Sequence, residues 1–452
     1  MKIVVLFSLL LAAQGLLAVP LIQNELLQIS QDDETLSLTS KTAQPHPMTA
    51  VVDLPGSIES CTVTKYHDVL WGQGQRLSVK HGDFTTTLTL YKGNPFAQLE
   101  TRVINAGNDP RNIKKLTIAN MELDLGIEPA KLNTLGSGGL RAYNQPKGSY
   151  AYSVLADPKS RNGIVCGWLT QHRGVGLMLP SFTDGKHLLE TQLDFGLMRL
   201  QPGQTRETDI LLLGFFGDAR LGLEQYADDI AKVYDIKLPP KPNVYCTWYH
   251  RNLTGSGAST EKALAENAAF AKKELLPFGL NVFQIDDHWQ AQEPTDKKNK
   301  GPIKTFINTT EHFPGGMEKT AKNLEKEGFV PGIWYMPFAG DLNNPFFDPA
   351  IFSKNKTTGA PFEDDRWSGT TIDTSSPKGE AFLRERFKRI QNWGYRYIKV
   401  DGLHIGTPSH NIYVNRSYDG KTFGDAEIHD KNLTFIEAYR KGLKILREET
   451  PR

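Results

Sequence analysis

Two periods divide the chain. From about Leu21 to Phe216, apolar and polar residues alternate in runs such as "ETLSLTS", "FTTTLTLY", "LETRVINAG" and "HLLETQLDFGLMRLQPGQ", each bounded by Gly, Asp, Asn or Pro. Alternation with period two turns one face of each run to a core and the other to water, the pattern of a large antiparallel β-sandwich. "LLLGFFG" reads as the last buried strand. "ARLGLEQYADDIAKVYDI" then changes the period, with Leu223, Tyr226, Ile230 and Val233 on one helical face. The stiff proline segment "KLPPKPN" follows and is the predicted domain boundary.

Beyond it, strands and helices alternate. "NVYCTWYH" reads as a strand, followed by a helix presenting Leu264, Ala268, Ala271 and Leu275. "LNVFQIDDHWQ" is a second strand, and a helix around Met317–Lys326 leads to a third, "GFVPGIWYMPF". "DTSSPKGEAFLRERFKRIQNWG" is a helix with a serine cap and Pro377 in its first turn, and it leads to a fourth strand, "YRYIKVD". A last helix presents Ile436, Tyr439, Leu443 and Leu446. Four strand–helix alternations predict a parallel sheet, closed or open. The expected organisation is a leader at 1–18, a β-sandwich at 19–217, a helical linker at 218–242 and, from 243 to 452, the first four strand–helix units of a (β/α)8 barrel.

Composition narrows the partners. Lys and Arg total 52 against 51 Asp and Glu, so no net field favours nucleic acid. "MKIVVLFSLLLAAQGLLAVP" has one lysine, a leucine-rich run and small residues near Ala13–Ala18, the pattern of a secretory signal; a membrane anchor is the alternative, since the run is barely long enough to span. The expected location is secreted or periplasmic, with no span after the leader is removed. Cys61, Cys166 and Cys246 are far apart, without metal or disulfide spacing, and read as small buried residues. Sequons at Asn252 and Asn308 matter only in a eukaryotic secretory pathway.

The candidate chemistry falls at the strand ends. The first strand delivers Trp248, Tyr249 and His250, the second Asp286, Asp287, His288 and Trp289, the third Trp334 and Tyr335, the fourth Lys399 and Asp401. In a (β/α)8 barrel these ends meet at one face; a doubly wound sheet also uses its strand ends, but no glycine-rich phosphate loop follows any strand here. Aromatic rings, paired carboxylates and a lysine suit a sugar, because rings cover its C–H face while charged groups bond its hydroxyls. Lys399, two residues from Asp401 on the same strand side, favours its ionised form. Blander readings apply to each residue alone. An Asp after a strand is commonly a turn cap, His250 and His404 read as polar rim residues, and one of Trp334 and Tyr335 belongs to the core. Adjacent strand residues point to opposite faces, which disfavours a metal on Asp286–His288, and no G-x-S-x-G elbow supports a serine nucleophile. What separates these residues from that background is recurrence at four successive strand ends.

"FQIDDHWQ", "FPGGMEKTAKNLEKEGFVPGIWYMP", "IDTSSPKGEAFLRERF" and "YRYIKVDGL", in that order and spacing, resemble the α-galactosidase (melibiase) group, glycoside hydrolase family 36 with relatives in family 27 and the raffinose synthases. The likeness covers roughly residues 242–452. It implies that Asp401 is the nucleophile of a retaining mechanism, that Lys399 binds sugar hydroxyls beside it, that Asp286 and Asp287 hold the hydroxyls at carbons 4 and 6, and that Trp334 and Trp248 line the subsite. The implied partner is a galactose-containing oligosaccharide or glycan, with no cofactor.

The sequence departs from that group in two ways. Leu403 stands where the group places a Cys or Asn that touches the sugar's 2-position, with His404 as a substitute. The general acid/base, an aspartate on a later strand of the group, has no counterpart here and is expected beyond Arg452; Asp419, Asp425 and Glu427 lie in the loop after the fourth strand and are not promoted to the role. A transglycosylase of the raffinose synthase type is the alternative within the enzyme class. A non-catalytic carbohydrate-binding protein is the alternative outside it, if the chain ends at Arg452.

Overall fold

The computed structural model describes residues 20–32, 34–41, 47–250, 259–290, 311–342, 344–362, 369–407 and 426–451. The leader, the sequons at Asn252 and Asn308, Asp419 and Asp425 lie outside these residues.

The alternating half forms two stacked antiparallel sheets, of eight and ten strands. Pairing follows the hydrophobic pattern: in the first sheet Leu36 faces Val52 and Leu38 faces Ala50, and in the second Leu77 faces Leu88, which faces Leu99 on its other side. All five leucines lie in one continuous core between the sheets. A one-residue slip would turn each of them to water, so burial itself fixes the register. The longest strand, Lys186–Leu200, is broken by irregularities at Thr191/Gln192 and between Asp194 and Met198. Gly196 lies in the second break, with φ +69°.

Helix α1 (Ala219–Val233) is capped by the Asp218 carboxylate, which accepts from the Arg220 N–H. It lies on the second sheet, where the Tyr226 hydroxyl donates to the Trp168 carbonyl at 2.8 Å, and Leu223, Ile230 and Val233 pack beside it as their spacing predicts. The proline segment after it is exposed.

Strands β1 (Val244–Cys246), β2 (Val282–Ile285), β3 (Val330–Tyr335) and β4 (Tyr397–Val400) form a parallel sheet in that order. Helices α2 (Glu261–Glu274), α3 (Met317–Lys326), α4 (Pro377–Asn392) and α5 (Phe435–Glu449) follow them in turn. Phe283, Ile285, Ile333 and Tyr335, all on one face of the sheet, share a core with Leu264 and Ala268 of α2, Ala321 and Leu324 of α3, Leu383 and Phe387 of α4, and Ile445 of α5. A doubly wound sheet would place helices on both faces and reverse its strand order. Consecutive order with helices on one side is barrel architecture. The predicted elements differ in detail at two ends. β1 stops at Cys246, where a 3-10 turn takes Thr247–Tyr249, and Leu275 caps α2 with 40% of its surface exposed instead of joining its buried face.

Helix α5 also touches the sandwich. Phe435 packs with Val175 and Leu197 and lies so close to Gly196 that a Cβ there would come 2.3 Å from its ring. Thr434 donates to the Arg173 carbonyl at 2.6 Å, and Glu437 pairs with Arg206 and Arg173.

Candidate active site

The sheet's other face carries the chemistry. Residues alternating with the core positions are Cys246 on β1, Gln284 on β2, Gly332 and Trp334 on β3, and Tyr397 and Lys399 on β4. Register aligns Cys246 with Gln284, Gln284 with Gly332 and Gly332 with Tyr397. In the next layer Trp334 is the partner of Lys399, with Asp286 just past the end of β2 and Asp401 just past the end of β4.

Asp286 is almost sealed, with 3% of its side chain exposed. Its Oδ2 accepts from Lys399 Nζ at 2.7 Å, Gln284 Nε2 at 2.7 Å and Cys246 Sγ at 3.2 Å. Its Oδ1 accepts from the Asp287 N–H at 3.0 Å, and its own N–H donates to Thr247 Oγ1 at 2.8 Å. Burial pushes the carboxyl upward, but the Lys399 ammonium and the other donors outweigh it and hold it below the usual carboxylate range. Burial also works against the Lys399 charge, and the bond to Asp286, with the fields of Asp286 and Asp401, raises the lysine nonetheless. Desolvation and the bond to Asp286 push the Cys246 thiol up, so it serves as a donor and not a thiolate.

Asp401 is half-buried and held at both oxygens. The Trp334 indole donates to Oδ2 at 3.1 Å and the Gly402 N–H to Oδ1 at 2.7 Å. The second bond requires the chain to fold back at once, and Gly402 does so at φ +62°, a left-handed conformation that costs a side-chain-bearing residue roughly 1–2 kcal/mol. The turn lies over Met336, whose Cε would be 2.3 Å from any Cβ at 402.

The other candidates separate into rim and core. Asp287 is buried and accepts the His288 N–H at 2.8 Å. Trp248 is 48% exposed and lies parallel to the His288 ring at 6.2 Å, a rim position. His288 has φ +75°, so the chain after Asp287 leaves the strand alternation and carries Trp289 into the core, where its indole donates to the Trp334 carbonyl at 3.0 Å. Both members of the third-strand pair are buried, Tyr335 in the helix-side core edge-on to Phe387 and Trp334 on the opposite face of the sheet. His250 bonds the Tyr245 hydroxyl at 2.8 Å. Leu403 is 41% exposed at the start of the turn after Asp401. Glu427 pairs its strand with Lys354–Asn355 and its side chain with Lys431.

Sequence reasoning missed Gln284 and Cys246. Cys166 is buried as expected, whereas Cys61 and Cys246 are only partly so, and Cys246 faces the carboxylate. The available signal was parity: both residues stand two positions from a strand-end group on the same face. A cleft of about 700 Å³ on the sandwich contains Tyr66 and Lys65 but only the Glu25 carboxylate among its described lining, and Glu25 already accepts from the Gly93 N–H. The strand ends are where paired carboxylates and a lysine converge.

No family model matches the sequence. The fold is similar to solved α-galactosidases of glycoside hydrolase family 36. Against AgaA of Geobacillus stearothermophilus the TM-score is 0.58 at 13% identity, over 87% of this chain and 58% of that one. Against the α-galactosidase of Lactobacillus brevis it is 0.59 at 14% identity, over 87% and 55%. The galactosidase domain of the α-galactosidase–sucrose kinase AgaSK gives 0.58 at 12% identity, over 88% and 56%. The chain thus spans somewhat over half the length of each. Variants of AgaA were solved with 1-deoxygalactonojirimycin, stachyose and raffinose.

Proposed function

We propose that this chain carries the nucleophile side of an exported, retaining glycosidase that releases terminal α-linked galactose from oligosaccharides or glycans. The observation that carries the reading is the pairing of Asp401 with Trp334 and of Lys399 with Asp286 on one face at the ends of neighbouring parallel strands. Family resemblance in four ordered motifs, the similar fold and the sugars bound by AgaA variants support the substrate class. The leader supports export.

In this reading Trp334, 2% exposed, lines the subsite from beneath through its bond to Asp401, and Trp248 stands at the rim. Lys399 and Asp287 take its hydroxyls. One oxygen of Asp401 attacks the anomeric carbon as the bond to the leaving oxygen breaks, and a general acid delivers that oxygen's proton. Water then cleaves the glycosyl ester and restores the carboxylate. The bonds from Trp334 and Gly402 aim the carboxylate and limit its rotation, so little ordering remains for the transition state. Asp401 and the general acid carry the oxocarbenium chemistry without a cofactor.

Asp401→Asn in the complete protein is expected to lower turnover of 4-nitrophenyl α-D-galactopyranoside by roughly 10⁴-fold or more, with galactose affinity by calorimetry retained. Near-normal turnover in that variant overturns the assignment.

A further inference from the structure

We propose that the sandwich carries a second binding site, a cleft between the edges of its two sheets that holds an anionic saccharide segment bearing carboxylate or sulfate groups. The site stands on its own geometry, and only the choice of a saccharide over other polyanions rests on the glycosidase reading above.

The cleft forms where the hydrophobic core gives out. In strands Ser60–Asp68 and Gly72–His81, register pairs on one face run Cys61 with Val79, Val63 with Leu77, Lys65 with Gln75 and His67 with Gln73. Leu77 and Val79 lie in the core between the sheets. Two residues beyond Leu77 the same face has turned polar. The edge of the other sheet, from Gln23 to Glu25 with Lys41, closes over it and leaves about 700 Å³. Clefts for small ligands span roughly 300–1,000 Å³. Asn24 ties the two edges together. Its Nδ2 donates to the Tyr91 and Asn94 carbonyls at 2.8 and 3.0 Å, and its Oδ1 accepts from the Leu26 and Leu27 N–H groups.

This frame leaves donors for a ligand. Gln75 Oε1 accepts the Gln23 N–H at 3.0 Å, and Gln23 Oε1 accepts from Lys41 Nζ at 3.1 Å. A backbone N–H and an ammonium can only donate, so both amide oxygens are committed to the protein. Neither NH2 group has an acceptor among the described residues. Lys41, Lys65 and Lys92 add three positive charges to the lining. None of them forms an ion pair among the described residues, whereas Lys80, Lys131 and Lys186 of the same sandwich each pair with a glutamate. The opposing charge in the described lining is Glu25, and one of its oxygens accepts the Gly93 N–H at 3.1 Å. In a chain with 52 basic and 51 acidic residues, three unpaired ammonium groups around one cleft repel one another until an anion neutralises them. The complement of this lining is a ligand with oxygens of two kinds, anionic for the lysines and hydroxyl for the amides. Single-stranded nucleic acid instead calls for stacking platforms, and Tyr66, the phenolic ring of the lining, already lies under the Arg76 guanidinium at 3.4 Å.

Fluorescence anisotropy tests this, with labelled hexagalacturonate and a sulfated dextran hexamer as probes and the neutral dextran hexamer as control. One or both anionic probes should bind, the preferred one identifying the anionic group, and added salt should weaken the binding. Lys65→Gln and Lys92→Gln should each weaken it roughly 10-fold or more. Gln75→Glu keeps an oxygen for the Gln23 N–H and replaces the free donor by a second oxygen, so it should weaken binding at least as much. Lys326→Gln with Lys388→Gln makes the same change in charge at exposed helix positions of the barrel and should leave binding intact. The proposal is overturned if neither anion binds at low salt, if neutral dextran binds equally well, or if Lys65→Gln with Lys92→Gln changes nothing. Tighter binding of a thymidine hexanucleotide, lost in the same variants, overturns the saccharide in favour of nucleic acid. Turnover of 4-nitrophenyl α-D-galactopyranoside should be the same with and without the lysine substitutions, and a parallel fall in turnover and binding overturns the reading of a separate site. A protein that binds the anions but cleaves no galactoside defeats the catalytic reading instead and leaves this site standing.

Discussion

Gly196→Ala tests how the sandwich holds the second half of the chain. Two costs meet at this position. Its φ of +69° lies in the left-handed region, where an added Cβ costs roughly 1–2 kcal/mol. That Cβ would also lie 2.3 Å from Phe435 Cδ2 and 2.6 Å from Cγ, far inside van der Waals contact. Phe435 is 1% exposed and packed with Val175 and Leu197, so the ring has no space to enter, and overpacking of this kind costs typically 1–3 kcal/mol. The combined expectation is roughly 2–5 kcal/mol, a large share of the 5–15 kcal/mol typical of a folded domain. Hydrogen exchange of the α5 amides reads the loss locally, and at 1.4 kcal/mol per tenfold exchange should accelerate from roughly 30-fold to several-thousand-fold. Phe435→Ala removes the ring, so in that background Gly196→Ala should keep only its backbone cost. Effects that add within about 0.5 kcal/mol would refute the steric argument.

Thr434→Ala should lower the urea midpoint by an amount equivalent to about 1–2 kcal/mol, because Thr434 caps α5 through the Glu437 N–H and also donates to the Arg173 carbonyl; Thr434→Ser should restore most of it, and an unchanged midpoint in the Ala variant would count against the cap. For the Asp286–Lys399 pair, the depressed carboxyl contributes stability that is complete above about pH 4 and lost as pH falls through its lower folded value, while the raised lysine contributes below about pH 10 and loses that as pH rises through its higher one. Lys399→Met removes the first charge opposing the burial of Asp286, so acid unfolding followed by circular dichroism should begin at higher pH, and a superimposable acid transition would sink the claim.

Much of the fold was legible because period carries it. Alternation gave the sandwich, helical spacing gave α1 and most of α2, and the same period-two rule correctly made one of Trp334 and Tyr335 a core residue. It failed where the chain stops being regular. His288, with its positive φ, redirects Trp289 from the predicted site into the core, and no alternation rule anticipates a left-handed histidine. The partner of Lys399 was also hidden. Sequence proximity suggested Asp401, yet positions i and i+2 of a strand lie roughly 6.6 Å apart along it. A lysine side chain can instead reach past β3 to Asp286, 113 residues away in sequence. That contact depends on register and sheet curvature, which a single sequence does not display.

The same considerations make α5 part of the site even though none of its residues reaches the strand ends. Asp401 leads directly into the turn Leu403–Gly406, and Tyr439 of α5 lies against Gly406, where a Cβ would come within 2.2 Å of its ring. At the residue before it, the Ala438 carbonyl accepts from the Thr374 hydroxyl ahead of α4, and Glu437 pairs with Arg206 and Arg173 of the sandwich. The turn after Asp401 is therefore bounded on one side by Met336 beneath Gly402 and on the other by a helix anchored in the first domain. A half-buried carboxylate aimed by two hydrogen bonds keeps its direction only if the backbone delivering it cannot shift. By this route the β-sandwich helps set the direction of the proposed nucleophile.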